Sequence, residues 1–279
     1  MKIDAHQHFW HYSPTTHAWI NDEMQVLKQS FLPENLASVL NKKGFDGCVA
    51  VQASQTEAEN DFLLGLAEQN EFIKGVVGWL DLRATNIEDR LVHYQQNTKF
   101  CGIRHVVQDE PDDDFLLRAD FQQGISKLKA FGLTYDVLVF ERQLPAAVKF
   151  VEAFPDQPFV LDHIAKPLIA QRKLSPWEEN VKQLAQCDNV YCKVSGMVTE
   201  ADWKNWQYED FKLYLDVVFE AFGAERIMIG SDWPVCLLAT DYNKVIDIVE
   251  KYIQGFSEAE KKAIMGENAV KFYNLMDLS

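Results

Sequence analysis

Positive charge is scarce in this sequence: 27 lysines and arginines stand against 42 aspartates and glutamates, a formal net charge of −15. Nucleic acids and anionic membranes need a basic footprint, so neither is expected as a partner. Cysteine is sparse and unpatterned. Cys48, Cys101, Cys187, Cys192 and Cys236 are odd in number and form no C-x-x-C pair, which argues against a disulfide framework or a zinc knuckle. They read as reduced core thiols of a cytoplasmic protein. No apolar run approaches the roughly 18–20 residues of a membrane span, and the first residues lack the pattern of a signal peptide. No Gly-x-Gly-x-x-Gly and no phosphate loop follows the first strand pattern, which weakens a nucleotide-binding reading.

What remains is an ordinary globular composition, 47% hydrophobic and 25% charged over 279 residues. A single (β/α)8 barrel of about 250 residues would use that length, and no linker interrupts it, so 1–279 is expected to be one domain. The chain opens on Met-Lys-Ile-Asp-Ala-His-Gln-His-Phe-Trp. Side chains alternate along a strand, so His6 and His8 face the same way, close enough to share a metal ion, a water or a carbonyl. Two surface histidines on an edge strand are the ordinary alternative.

An aromatic-rich segment, 9–32, shows no periodicity and reads as a loop folded over something. Pro33 then opens a helix that Gly44 stops. The apolar run 47–52 is a strand buried on both faces, followed by a Thr56-to-Glu59 capping pattern and a second helix. The same unit repeats, with strands expected at 74–80, 100–106, 133–139, 159–163, 190–194 and 226–230. Helices follow each strand, two of them opened by caps at Thr85 and at Ser175-Pro176. Eight strands alternating with eight helices predict a parallel (β/α)8 TIM barrel, with an open doubly wound sheet as the alternative. The tail, 257–275, reads as an appended C-terminal helix packed on the barrel exterior.

Barrel active sites lie at the C-terminal ends of the strands. Four of those ends carry ionisable groups: His6 and His8, Arg104 and His105, Asp162 and His163, and Asp232. With their neighbours they form His6-Gln-His8, Gly102-Ile-Arg-His105, Leu161-Asp-His163 with Ala165-Lys-Pro167, and Gly230-Ser-Asp-Trp-Pro234. This set resembles the amidohydrolase superfamily, in its sugar-lactone and dicarboxylate-lactone hydrolase branch, and within it the L-fuconolactonase and L-rhamnonolactonase group. The resemblance spans nearly the whole chain. It implies a metal-dependent-hydrolase-like barrel, a hydrolase of carboxylic ester bonds, and a small sugar lactone of carbohydrate breakdown as substrate. Binuclear members carry a bridging lysine or glutamate on strand four and a histidine on strand five. Here those strands offer Arg104-His105 and Asp136, which argues against two metals. The cofactor is then none, or one divalent ion with zinc in first place, on His6, His8, His163 and Asp232.

Opening a lactone needs a base for water and positive or hydrogen-bonding groups for the oxyanion. Asp232 is the expected base. The oxyanion would face His6, His8 and His163, or an ion they hold, with Arg104 as a fixed cation. Trp10, Gln52, Trp79, Tyr135 and Trp233 are expected to bind the sugar. His105 joins them, although on an ideal strand only one of Arg104 and His105 reaches the centre. Each has an ordinary alternative: Asp232 as a helix cap, His163 as a satisfied core histidine, Arg104 as partner of Asp162 or Asp136, the tryptophans as core. Trp177, Trp203 and Trp206 read as packing or surface residues, and Ser195 has no adjacent base. A dicarboxylate-lactone hydrolase or metal-dependent decarboxylase is the rival activity, and a non-catalytic sugar-acid binder the rival from another class. Monomer and homo-oligomer both stay open.

Overall fold

The computed structural model describes residues 1–275; the last four residues of the expected domain lie outside it. Among the described residues eight strands pair in sequence order, every neighbouring pair parallel. They are β1 (Ile3–Gln7), β2 (Gly47–Val51), β3 (Ile73–Gly78), β4 (Phe100–His105), β5 (Thr134–Val137), β6 (Phe159–Leu161), β7 (Val190–Val194) and β8 (Ile227–Ile229). A bridge from Gln7 to Trp233 closes β1 onto the end of β8, with Asp232 N donating to His6 O at 2.8 Å and His8 N to Trp233 O at 2.7 Å. The sheet is therefore a barrel, and the open-sheet alternative falls. Among the described residues no helix is long and apolar enough to cross a membrane.

Helices α1 (Pro33–Lys42), α2 (Glu57–Gln69), α3 (Ile87–Tyr94), α4 (Ala119–Leu128), α5 (Leu144–Glu152), α6 (Trp177–Leu184), α7 (Tyr208–Phe222) and α8 (Tyr242–Tyr252) form the outer layer. Local chemistry decides most of their ends. Pro33 takes the first position of α1, where its missing N–H costs nothing, and Gly44 follows the helix in a left-handed conformation. Thr56 caps α2 as expected, but Glu59 turns its carboxylate to the amides of Ala53 and Ser54, at 2.5 and 2.6 Å, rather than back to the cap. Two expected caps differ. Asn86, not Thr85, precedes α3, and Pro176 sits outside α6, whose first residue is Trp177.

Strand β1 carries a register shift between Asp4 and Gln7. Such a bulge breaks alternation once. Ile3 and Ala5 can then join the apolar barrel interior of Val49, Val51, Val77, Val160 and Met228, while His6 and His8 reach the site. The tail also departs from expectation. Instead of lying on the outside, α9 (Glu258–Lys262), a π turn at Ala263–Glu267 and α10 (Asn268–Phe272) close the N-terminal end of the barrel. Ala269, Phe272, Tyr273 and Leu275 complete the interior cluster, because the apolar starts of the strands would otherwise meet water. Gly266 makes the fit possible: a Cβ there would stand 2.2 Å from the Met1 carbonyl oxygen.

Candidate active site

Three strand ends, those of β1, β6 and β8, bring four polar groups to one point. His6 Nε2 and His8 Nε2 are 3.2 Å apart, and Asp232 Oδ1 lies 3.3 Å from His8 Nε2, 3.9 Å from His163 Nε2 and 4.0 Å from His6 Nε2. All four residues are buried. Local backbone places two of them at a cost. Asp232 has φ 55°, and His163, Ile164, Ala165 and Lys166 run through φ values of 53°, 49°, 59° and 47°. Each left-handed residue without glycine costs about 1–2 kcal/mol, and a β-branched isoleucine is an especially poor fit. Packing must offset that strain. Ile164 and Ala165 are wholly buried, and the Trp177 indole donates to Ile164 O at 2.7 Å. The left-handed turn reverses the chain after β6, so that both His163 and Lys166 border the cavity. Gly196 allows His163 its place, since a Cβ there would come within 2.5 Å of Nδ1.

Burial alone would push the Asp232 carboxyl up, but His163, His8 and Lys166 together draw it below the usual carboxylate range. It is an anion at neutral pH. His163 is pushed down to about 4 by burial, against the pull of Asp232 and Asp162. His6 falls well below its ordinary value, again through burial first, with Lys193 and His163 opposing Asp162. The neutral imidazoles of His6 and His163 therefore flank an ionised carboxylate, which borders a cavity of about 910 Å³. Its walls include Trp10, Trp19, Phe62, Phe140 and Trp203, with Gln55, Gln108, Lys166 and Glu200 as polar points. Segment 9–32 supplies part of that wall, as its aromatic content suggested.

The donor set fits one divalent cation. His8 Nδ1 lies 2.7 Å from Val51 O, and a carbonyl only accepts, so Nδ1 carries the hydrogen and Nε2 offers a lone pair. That lone pair faces a carboxylate oxygen at 3.3 Å, a repulsive arrangement unless a proton or cation lies between. Separations of 3.2 and 3.3 Å match the roughly 3.3 Å between neighbouring ligands of a tetrahedral ion with bonds of about 2.0–2.1 Å, while the 4.0 Å from His6 to Asp232 is wider and would have to close around it. His6, His8 and Asp232 thus form one candidate ligand group, and His6, Asp162 and His163 a second that shares His6.

The family model described as Amidohydrolase matches residues 3–275. The chain belongs to this amidohydrolase family. Over 99% of its length it is 40% identical to an L-fucono-1,5-lactonase of Burkholderia multivorans, covering 96% of that protein. An L-fucono-1,5-lactonase of Burkholderia ambifaria is 34% identical over 98% of this chain and 96% of its own. A crystal structure of a Burkholderia multivorans amidohydrolase with bound zinc superposes with a TM-score of 0.96 at 40% identity, over 99% of this chain and 100% of the other.

In this amidohydrolase the expected site residues divide. His6, His8, His163 and Asp232 converge, while Arg104 reaches the cavity wall but is anchored, with Nη1 3.2 Å from Asp162 Oδ2 and Nη2 bonded to Gln52. Trp10 lines the cavity. The other expected sugar contacts do not. Gln52 is spent on Arg104, Nε2 of Gln52 also meeting its carbonyl at 3.3 Å. Trp79 and His105 pair with each other at 3.2 Å on the outer side of β4, where His105 meets Glu110 at 2.7 Å and stacks on Phe115. Strict alternation beside Arg104 sends His105 outward. Tyr135 faces the helix layer among Phe121, Phe150 and Phe159, and Trp233 packs against Phe9 and Phe31.

Residues left unassigned by the sequence reading stand in their place. Trp203, held by a bond from Nε1 to Thr199 O at 2.9 Å, borders the cavity rather than only packing. Ser195 Oγ does have an adjacent base, His163 Nδ1 at 2.9 Å, but it is not among the residues lining the cavity and so orients the imidazole. Lys193 is a buried charge that the strand-end pattern does not point to. A lysine inside the apolar run Val-Tyr-Cys-Lys-Val of β7 was the available signal, because an inward charge in a doubly buried strand must have partners.

Proposed function

We propose that this chain hydrolyses a sugar-acid lactone of the L-fucono or L-rhamnono type as a cytoplasmic, single-domain enzyme. The observation that carries the reading is the Asp232 carboxylate, ionised despite burial, set beside the neutral imidazoles of His6 and His163 at the floor of an aromatic-walled cavity. Asp232 takes a proton from water as the oxygen attacks the lactone carbonyl. His163 faces the oxygen that becomes negative, with the anchored Arg104 guanidinium as a fixed positive charge behind it, and a preorganised donor of this kind is worth about 10²–10³ in rate. When the tetrahedral intermediate collapses, the ring C–O bond breaks and the proton on Asp232 passes to the departing alkoxide. The product is a hydroxy acid, which releases a proton at neutral pH. His6, His8 and Asp232 would hold a single zinc ion, which supplies Lewis acidity toward the carbonyl oxygen. The apolar faces of Trp10 and Trp203 suit the flat C–H side of a sugar ring, and Gln55, Gln108, Lys166 and Glu200 suit its hydroxyls.

A dicarboxylate substrate is less well served. The cations bordering the cavity are Arg104, engaged with Asp162, and Lys166, 4.0 Å from Glu200. Arg83, Arg142 and Arg172 are bound to Asp81, Asp113 and Asp210 away from it. Five cysteines without a disulfide are in keeping with a reducing compartment. The test is acid release from a panel of aldonolactones, L-fucono-, L-rhamnono- and L-galactonolactone among them, with and without a tight chelator. Release above the uncatalysed rate from at least one supports the reading; none from metal-replete protein overturns it.

A further inference from the structure

Below the cavity the barrel interior holds charges that the proposed chemistry does not use. Lys193 Nζ is wholly buried, 2.5 Å from Asp136 Oδ2, 3.0 Å from Asp162 Oδ1 and 3.2 Å from His6 Nδ1. Tyr273, from the tail, donates to the same Asp136 oxygen at 2.8 Å. Asp162 Oδ1, ion-paired with Lys193, stands 3.4 Å from His6 Nδ1. His6 Nδ1 therefore has two rivals: an ammonium that can only donate and a carboxylate oxygen that can only accept.

Each choice dictates what the far side of the ring can do. If Nδ1 donates to Asp162, the Nε2 lone pair is free for an ion. If Lys193 donates to Nδ1, the ring hydrogen sits on Nε2 and points at His8 Nε2, 3.2 Å away. The hydrogen of His8 is already committed to Val51 O through Nδ1. A continuous chain of hydrogen bonds then runs from Lys193 through His6 and His8 to Val51, complete without an ion and closed to one.

We propose that Lys193 is a positioning residue that holds His6 in this closed arrangement and thereby weakens the uptake of a divalent ion by the histidine cluster. The inference rests on reading His6 and His8 as the ion-holding pair. Charge acts in the same direction, because a fixed ammonium beside His6 repels a second cation. Arg104 Nη1, whose two hydrogens can serve both His6 Nε2 and Asp162 Oδ2, each at 3.2 Å, favours the open arrangement, and Lys193 acts against it.

Zinc affinity, measured by competition with a chromophoric chelator at constant pH, tests this in wild type, Lys193→Met and the charge-balanced Lys193→Met/Asp136→Asn. Changing an outer partner of a ligating histidine typically moves affinity about 10–100-fold. The folded variants should bind zinc at least about tenfold more tightly than wild type, or bind it where wild type does not. Equal or weaker binding by the folded double variant overturns the proposal. If neither variant folds, imidazole nitrogen shifts of zinc-free wild type, assigned with His6→Gln, decide it: the hydrogen on Nε2 supports the closed arrangement, and on Nδ1 overturns it. Neither readout is turnover. Absence of lactone hydrolysis would remove the proposed function and leave this test standing.

Discussion

At the C-terminal end of the barrel, His8, His163 and Asp232 border an open cavity, and the His8 Nε2 lone pair is turned toward the Asp232 carboxylate. Deeper in the same barrel Lys193, Asp136 and Tyr273 make short bonds among themselves, and below them Phe272 and Leu275 plug the strand starts with apolar surface. Both regions bury charge, but in the lower one the Lys193 and Tyr273 donors meet the Asp136 carboxylate, whereas in the upper one a histidine lone pair meets a carboxylate oxygen. The upper arrangement is costly unless something from outside completes it, and that is the mark of a site that takes a ligand. The lower one rewards the folded chain itself. Substitutions should therefore separate turnover from stability according to which end they touch.

The largest effect should come from Asp232→Asn, which keeps shape and removes the base: turnover of the preferred lactone should fall by about 10²–10⁴, with KM and melting temperature little changed. Equal loss of turnover and stability would show that Asp232 is a structural cap instead. Phe272→Ala at the opposite end should reverse the pattern, costing about 3–5 kcal/mol in denaturant unfolding while the folded fraction keeps its KM. A changed KM would mean that the plug shapes the cavity.

Acid should separate the two ends as well. His163 stays neutral down to about 4, so its contribution is fully present above its unfolded value near 6.5 and is lost as pH falls through 4. Asp136, raised to about 6 by burial, acts oppositely: its contribution is present below about 4 and is lost as pH rises through 6. The difference in unfolding free energy between wild type and His163→Gln isolates the first effect and should shrink by about 3 kcal/mol between pH 7 and pH 4. A constant difference would show that His163 is not held neutral.

Tyr135→Phe should do least, leaving KM unchanged and stability within about 0.5 kcal/mol, because its hydroxyl is buried without a hydrogen-bond partner in an aromatic layer. A raised KM would restore the sugar-binding role first expected of it.

The elements that could be read from the chain are those whose causes are local or periodic. Apolar runs of strand length, Pro33 and Gly44 around α1, and polar residues directly after a strand gave both the barrel and the four converging groups. The substrate contacts were harder. Trp79, Tyr135 and Trp233 differ from Trp10 and Trp203 in nothing that composition shows; only the direction of each Cβ relative to the barrel wall sorts them. His105 could have been set aside on alternation alone. The tail's amphipathic pattern announced a helix but not its partner, because covering the outside and plugging one end bury the same kind of surface.

By itself, the order of residues determined eight βα units and a set of histidines and carboxylates at strand ends, since side-chain periodicity and capping act over a few residues. The tertiary structure decided the rest. The bulge in β1 aims His6 and His8, the left-handed run after β6 turns back His163 and Lys166, and Lys193, Asp136 and Tyr273 meet although Asp136 and Tyr273 are 137 positions apart in the chain. Strain of that kind persists only where surrounding packing outweighs it, and a buried charge is stable only beside its partner, so neither can be read from a segment alone.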